Sequence, residues 1–420
     1  MKKLCLLLTL VLIFTGCSKK ETTVSVVHKV VEGVIEEINN GVLTIKTEDS
    51  TITVENTDAR ANDRGRNITI EYENEVLTDI TIYGKAFHAE ADKVLENMTL
   101  DEKIGQLFLL RYNENSATEV VEKYNAGGFV LFARDFENET PESILEEIAL
   151  LQQKSKFPLL MAVDEEGGIV VRVSNLPAFR ESAFLSPSEL YEEGGFELIA
   201  KDAEEKAQLL KSIGLNVNLA PVADISTDKN DFINKRTVGL DAEGTSEYIK
   251  TVVSVMSENK IGSVLKHFPG YGNNKDTHTG IAIDERSYES ILNNDIKPFV
   301  AGIESGADSI LVSHNIVKSI DDKNPASLSP MAHNILRNVL GFDGVIMTDD
   351  LDMGAITEYT ENKGSAVDAI LAGNDMVICA DYETQINAVK EAVSEGIITE
   401  EAINDAARRV IIWKIKLDII

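Results

Sequence analysis

Between Val24 and Tyr83 apolar and polar residues alternate in short runs that turn residues interrupt. The runs Gly33-Val34-Ile35-Glu36-Glu37-Ile38, Val42-Leu43-Thr44-Ile45-Lys46 and Thr51-Ile52-Thr53-Val54 come first, with Asn39-Asn40-Gly41 between the first two. A period of two sends successive side chains to opposite faces, and Asn-Gly suits the corner of a hairpin. With further runs at Asn67–Tyr72 and Val76–Tyr83, the pattern predicts five or six strands. That describes a small β-barrel or sandwich of the OB kind. Nothing in it looks catalytic, so its expected role is a spacer or wall-contacting module. Lys85–Glu90 reads as the link to a second, larger domain.

After Ala91 the texture changes to amphipathic helical stretches separated by short apolar runs. The runs are Gln106–Leu110, Gly128–Phe132, Leu159–Asp164, Val217–Val222, Ser263–His267, Ile310–His314, Val345–Asp349 and Met376–Ala380. Continuous apolar runs between helices are expected of parallel strands buried on both faces. Eight of them in this spacing predict an α/β fold of the (β/α)8 TIM-barrel type, preceded by the small all-β domain. Asp164, Asp224, the Lys266-His267 pair, His314 and Asp349 stand at or just past the run ends. Polar groups there are costly to bury without a task, and barrels place their sites at the C-terminal ends of the strands. A doubly wound open sheet would gather such residues only near its switch point, so five separate strand ends favour the closed form.

The chain carries 70 acidic against 40 basic residues, a net charge of -30, with no basic cluster to receive phosphate. Nucleic acid is therefore excluded as an expected partner, and the acidic surface is read as a device for solubility. Lys2 and Lys3 precede an apolar run, Leu4–Phe14, that is too short to span a bilayer. This is a signal peptide, and Phe14-Thr15-Gly16-Cys17 resembles a bacterial lipobox, although Phe14 stands where Leu is usual. The expected division is a leader over 1–17, a small β domain over 18–84 and the barrel over 85–420. Cys17, once lipidated, would anchor the protein to the outer face of a bacterial cell membrane without a spanning helix. Cys5 leaves with the leader and Cys379 stays alone, so no disulfide is expected within the mature chain. The six histidines show no metal-binding spacing. Neither a metal nor a cofactor is expected.

The strongest local signal is Lys266-His267-Phe268-Pro269-Gly270-Tyr271-Gly272, followed by Asp276-Thr277-His278. Its glycine and proline content makes it a shaped loop. An isolated Asp-x-His is more often a surface pair, but its place after a barrel strand favours a functional dyad. These segments resemble glycoside hydrolase family 3, in its bacterial β-N-acetylglucosaminidase branch, over roughly residues 90–420. The resemblance implies that Lys266 and His267 grip sugar hydroxyls and that Asp276 and His278 form the acid/base dyad. It implies that Asp349, in Thr348-Asp349-Asp350-Leu351, is the nucleophile. Further matches are Val163–Gly168 with Arg172, the Asn218–Asp224 strand end and Arg236. In the family, counterparts of Asp164, Arg172 and Arg236 hold the terminal sugar, and Asp224 is placed with them. Ile169 stands where arginine is usual, Tyr271 where His is common, and Thr237-Val238 where Ser-Phe is common.

A retaining glycosidase needs one group to attack the anomeric carbon and another to protonate the departing oxygen. Histidine, with an unperturbed pKa of about 6.5, can donate and recover that proton near neutrality. The expected activity is exo-acting hydrolysis of terminal β-linked N-acetylglucosamine from peptidoglycan fragments or related glycans, by a monomer. The family also contains phosphorylases and β-glucosidases. The latter commonly take their acid from a further C-terminal domain, whereas this chain stops at Ile420 after the last barrel helix. A catalytically silent carbohydrate-binding lipoprotein is the non-enzymatic alternative.

Adjacent strand residues point to opposite faces, so Lys266 and His267 can share a site only where the backbone is irregular. A bulge or a non-proline cis peptide is expected there. His314 is a further candidate site residue. Asp350 and Asp352 are expected to cap the helix after their strand, and His28, His88 and His333 to lie at the surface.

Overall fold

The computed structural model describes residues 28–39, 42–47, 50–55, 65–73, 76–83, 87–274, 282–354, 356 and 365–420. Cys17, Asp276 and His278 lie outside them. Five antiparallel strands come first: β1 (His28–Asn39), β2 (Val42–Lys46), β3 (Thr51–Glu55), β4 (Asn67–Glu73) and β5 (Val76–Tyr83). Their order is β3-β2-β1-β4-β5. The alternation gathers Ile35, Leu43, Ile45, Val54, Ile68 and Ile70 into one small core. Among the described residues the five strands form one sheet whose edge strands β3 and β5 do not pair with each other, short of the expected barrel or sandwich. A period-two pattern fixes which face is apolar and says nothing of whether the edges meet.

Eight parallel strands then close a barrel: β6 (Phe108–Arg111), β7 (Gly128–Leu131), β8 (Leu160–Val163), β9 (Val217–Asn218), β10 (Gly262–Phe268), β12 (Ser309–Val312), β14 (Val345–Asp350) and β15 (Met376–Cys379). The remaining pair, β11 (Ile283–Asp284) and β13 (Ile316–Val317), forms a separate parallel ladder. Along each barrel strand, side chains alternate between two apolar cores. Leu109, Val130, Leu160, Val264, Leu311, Met347 and Ile378 fill the interior, while Leu110, Phe129, Met161, Leu265, Ile310, Ile346 and Val377 pack outward beneath the helices. Strand packing is tight enough that a Cβ on Gly128 would stand 2.0 Å from the Leu160 carbonyl oxygen.

Helices start where the sequence supplies a cap. Thr99 and Glu102 form a capping box at α2 (Leu100–Gln106), after α1 (His88–Leu95). Ser186 and Glu189 do the same for α5 (Pro187–Ser212), which comes after α3 (Glu114–Tyr124) and α4 (Pro141–Lys154). The remaining helices are α6 (Ala242–Glu258), α7 (Tyr288–Asn293), α8 (Ile296–Glu304), α9 (Pro330–Asn334), α10 (Ser365–Ala372), α11 (Tyr382–Ser394) and α12 (Glu400–Lys416). Trp413 of α12 joins the interior core, and a Cβ on Gly262 at the start of β10 would meet its indole at 2.7 Å. Beside it Lys414 is fully buried, with Nζ donating to Gln106 Oε1 at 2.5 Å. No helix among the described residues is long and apolar enough to cross a membrane.

Candidate active site

The strand ends open into a cavity of about 490 Å³ lined by Asp164, Arg172, Arg236, Lys266, His267 and Asp349, together with Arg111, Phe132, Ile169, Phe232, Asp350 and Met353. Its size suits a small-molecule site. Lys266 and His267 both line it, and the peptide between them is cis. The register of β10 against β12 also slips between Leu265 and Phe268. The irregular backbone expected at this strand end is present.

The polar floor is wired before any ligand arrives. Glu166 Oε1 accepts from Arg236 Nη2 at 2.7 Å and Oε2 accepts from Arg236 Nε at 2.9 Å, a two-point pairing matched to the guanidinium fork. Lys266 Nζ stands 2.6 Å from Glu166 Oε1 and donates to Asp164 Oδ1 at 2.6 Å. Burial alone would push the Glu166 carboxyl up, but the charges of Arg236 and Lys266 outweigh it and hold Glu166 well below the usual carboxylate range. Burial works against the charge of Arg236, and Glu166 more than restores it.

Arg236 Nη2 lies 3.1 Å from His267 Nε2. Arginine can only donate, so Nε2 accepts and the ring proton sits on Nδ1, which donates to Asp224 Oδ2 at 2.7 Å. Asp224 also accepts the His267 and Tyr271 backbone N–H groups at 3.1 and 2.6 Å. It therefore stands behind His267, orienting the ring, and is not among the residues lining the cavity. Arg172 lines the cavity, although its buried Nε has no hydrogen-bond partner among the described residues.

Asp349 is the penultimate residue of β14, with Oδ1 accepting the Asp350 backbone N–H at 2.8 Å. The helix that Asp350 and Asp352 are expected to cap lies largely outside the described residues. Asp350 Oδ2 accepts from Arg111 Nε at 2.5 Å, and its Oδ1 accepts from the Asp352 backbone N–H at 3.0 Å. Burial raises the Asp350 carboxyl, with Arg111 opposing. Asp352 Oδ2 reaches across to accept the Ala380 N–H at 2.5 Å.

His314 is fully buried and absent from the cavity lining. Its Nδ1 pairs with Ser327 Oγ at 2.8 Å and its Nε2 donates to the Asp350 carbonyl at 2.9 Å, so it props the turn that carries Asp349. His333 is buried rather than at the surface, its Nδ1 donating to the Ser329 carbonyl at 2.8 Å, and burial lowers its affinity for a proton. Sequence reasoning missed Glu166, Arg111 and Asp350 as parts of the site. Only the acidic run Asp164-Glu165-Glu166 hinted at the first. Glu165 is spent on the loop itself, accepting the Arg172, Val173 and Ser174 backbone N–H groups. Among the described residues no group of three or more side chains could hold a metal ion.

Comparison with known proteins adds to this geometry. The family model described as glycosyl hydrolase family 3 N terminal domain matches residues 99–412. A beta-hexosaminidase of Nitrosomonas eutropha is 35% identical over 271 residues, covering 61% of this chain and 75% of the relative. One from Xylella fastidiosa is 31% identical over 291 residues, covering 68% and 85%. Among solved structures, a glycoside hydrolase family 3 beta-N-acetylglucosaminidase from Paenibacillus sp. superposes with a TM-score of 0.72 at 28% identity, covering 77% of this chain and 63% of that one.

Proposed function

The chain belongs to glycosyl hydrolase family 3 and is a glycosidase of the β-hexosaminidase kind, and we propose that it releases terminal β-linked N-acetylglucosamine with retention, using Asp349 as nucleophile and His278 as acid/base. The supporting observation is convergence. Asp349 from β14, Lys266 and His267 from β10, Asp164 beyond β8 and Arg236 from the loop before α6 all line one cavity. Lys266, Asp164 and Arg236 are held by mutual pairing, which preorganises them for sugar hydroxyls.

In the first step a carboxylate oxygen of Asp349 attacks the anomeric carbon. The bond to the aglycone oxygen breaks, and that oxygen takes a proton from His278. In the second step water attacks the same carbon and yields a proton to His278, and the bond to Asp349 breaks to return the carboxylate. Asp276 orients the imidazole and stabilises its charged form, as an acid partner does for catalytic histidines. Arg172, which lines the cavity, offers its guanidinium to the bound sugar. The substrates are amino-sugar glycans, peptidoglycan fragments among them. The working form is a monomer held at the outer face of the cell membrane by lipid on Cys17.

Asp349→Ala tests the assignment. The variant should fold and lose turnover of an aryl N-acetylglucosaminide by at least about 10³-fold, and turnover near the parent's would remove the mechanism. Product analysis with and without phosphate separates release of free sugar from release of sugar phosphate.

A further inference from the structure

Among the residues that line the cavity, Ile169 and Phe232 are exposed apolar side chains at its lip. Ile169 sits in a tight turn in which the N–H groups of Glu166 and Gly167 both donate to the Val170 carbonyl, at 3.0 and 3.2 Å. Gly167 and Gly168 take φ values of 103° and 63°, which glycine adopts without a steric penalty. The turn holds the Ile169 side chain 61% exposed. On a separate loop, Phe232 is 39% exposed. That loop is knitted together by Ser226 Oγ donating to Asp231 at 2.8 Å and Asn234 Nδ2 donating to the Ser226 carbonyl at 3.0 Å. The Phe232 ring also leans on Tyr271, with centroids 6.0 Å apart.

Single exposed apolar residues are ordinary on a protein surface. Here two of them, from different loops that internal hydrogen bonds fix, line the same cavity as Asp349. Resting on the hydrolase reading above, we propose that Ile169 and Phe232 form the aglycone subsite and select a neutral second sugar that offers them its apolar face. When the terminal residue fills the charged floor, the second residue of a β-linked disaccharide must sit at the lip. A pyranose covers apolar side chains with its C–H face while its hydroxyls stay in water. A carboxylate carried on that second ring would lose hydration against Ile169 and Phe232 without gaining a partner from either. The subsite therefore ranks neutral β-linked N-acetylglucosamine oligomers above disaccharides whose second sugar is acidic.

The test compares three substrates on the full chain: N,N′-diacetylchitobiose, a disaccharide whose second ring bears a carboxylate, and N-acetylglucosaminyl β-fluoride, whose leaving group is too small to reach the lip. The parent should favour the neutral disaccharide over the acidic one in kcat/KM. Phe232→Ala should lower the ratio of kcat/KM for chitobiose to that for the fluoride about tenfold, through KM, as expected for one lost aromatic contact. Ile169→Arg should move selectivity toward the acidic disaccharide by about fivefold. A chitobiose-to-fluoride ratio that survives Phe232→Ala, or a parent that prefers the acidic disaccharide, overturns the proposal while leaving the hydrolase reading intact. A parent inert toward the fluoride and both disaccharides sinks the hydrolase reading, and the subsite with it.

Discussion

Lys414 is a cation placed where water cannot reach it. Burial brings its pKa down from 10.5 to about 7, and its Nζ donates to the neutral Gln106 Oε1. At about 1.4 kcal/mol per pH unit, the gap between the two values amounts to about 5 kcal/mol. Between about pH 7 and 10.5 the unfolded chain holds this proton and the folded chain does not, so stability rises with pH across that window. Below pH 7 the folded protein carries the full cost of the buried charge. Lys414→Met keeps the unbranched apolar stem and removes the charge, leaving Gln106 Oε1 without its donor at a cost of about 1–3 kcal/mol. The variant should therefore be more stable than the parent by about 2–4 kcal/mol at pH 6. By pH 9 that advantage should shrink by about 2–3 kcal/mol as the parent sheds its proton. Urea unfolding of both proteins at pH 6 and pH 9 measures this, because titrations common to the two cancel in the difference. A difference in stability that stays constant over that range refutes the reasoning.

Three further outcomes bear on the site. Glu166→Gln leaves Lys266 and Arg236 without their shared carboxylate, and should cost about 3–5 kcal/mol in urea unfolding and about 10²-fold or more in kcat/KM. Asp350→Asn releases Arg111 from the turn that carries Asp349. It should lower kcat about tenfold or more with little change in KM, and equal losses in binding would count against a positioning role. His278→Ala should slow disaccharides far more than aryl glycosides with good leaving groups, and matched losses on the two would remove His278 as the acid.

The barrel was legible because each of its strands is a continuous apolar run, buried on both faces and bounded by caps such as Thr99 and Ser186. Charged residues at strand ends pointed to Asp164, Lys266, His267 and Asp349, all of which line the cavity. The same rule misplaced His314. Its position looks identical in sequence, and only the fold reveals that Ser327 and the Asp350 carbonyl engage both ring nitrogens. Glu166 and Arg111 escaped notice for the converse reason. Their partners lie 70 and 239 residues away, a separation that local pattern does not encode. Whether the N-terminal sheet closes was likewise hidden, since alternation in β2 and β4 records a buried face and not what the edge strands meet.

The cavity is lined by the cations Arg111, Arg172, Arg236 and Lys266 and the carboxylates Asp164, Asp349 and Asp350, with Glu166 and Asp224 just behind the wall. A neutral glycan carries no net charge on which these groups, or the -30 of the whole chain, could pull from a distance. Capture is left to contact-range hydrogen bonding, so added salt should scarcely alter how often a neutral sugar is taken up.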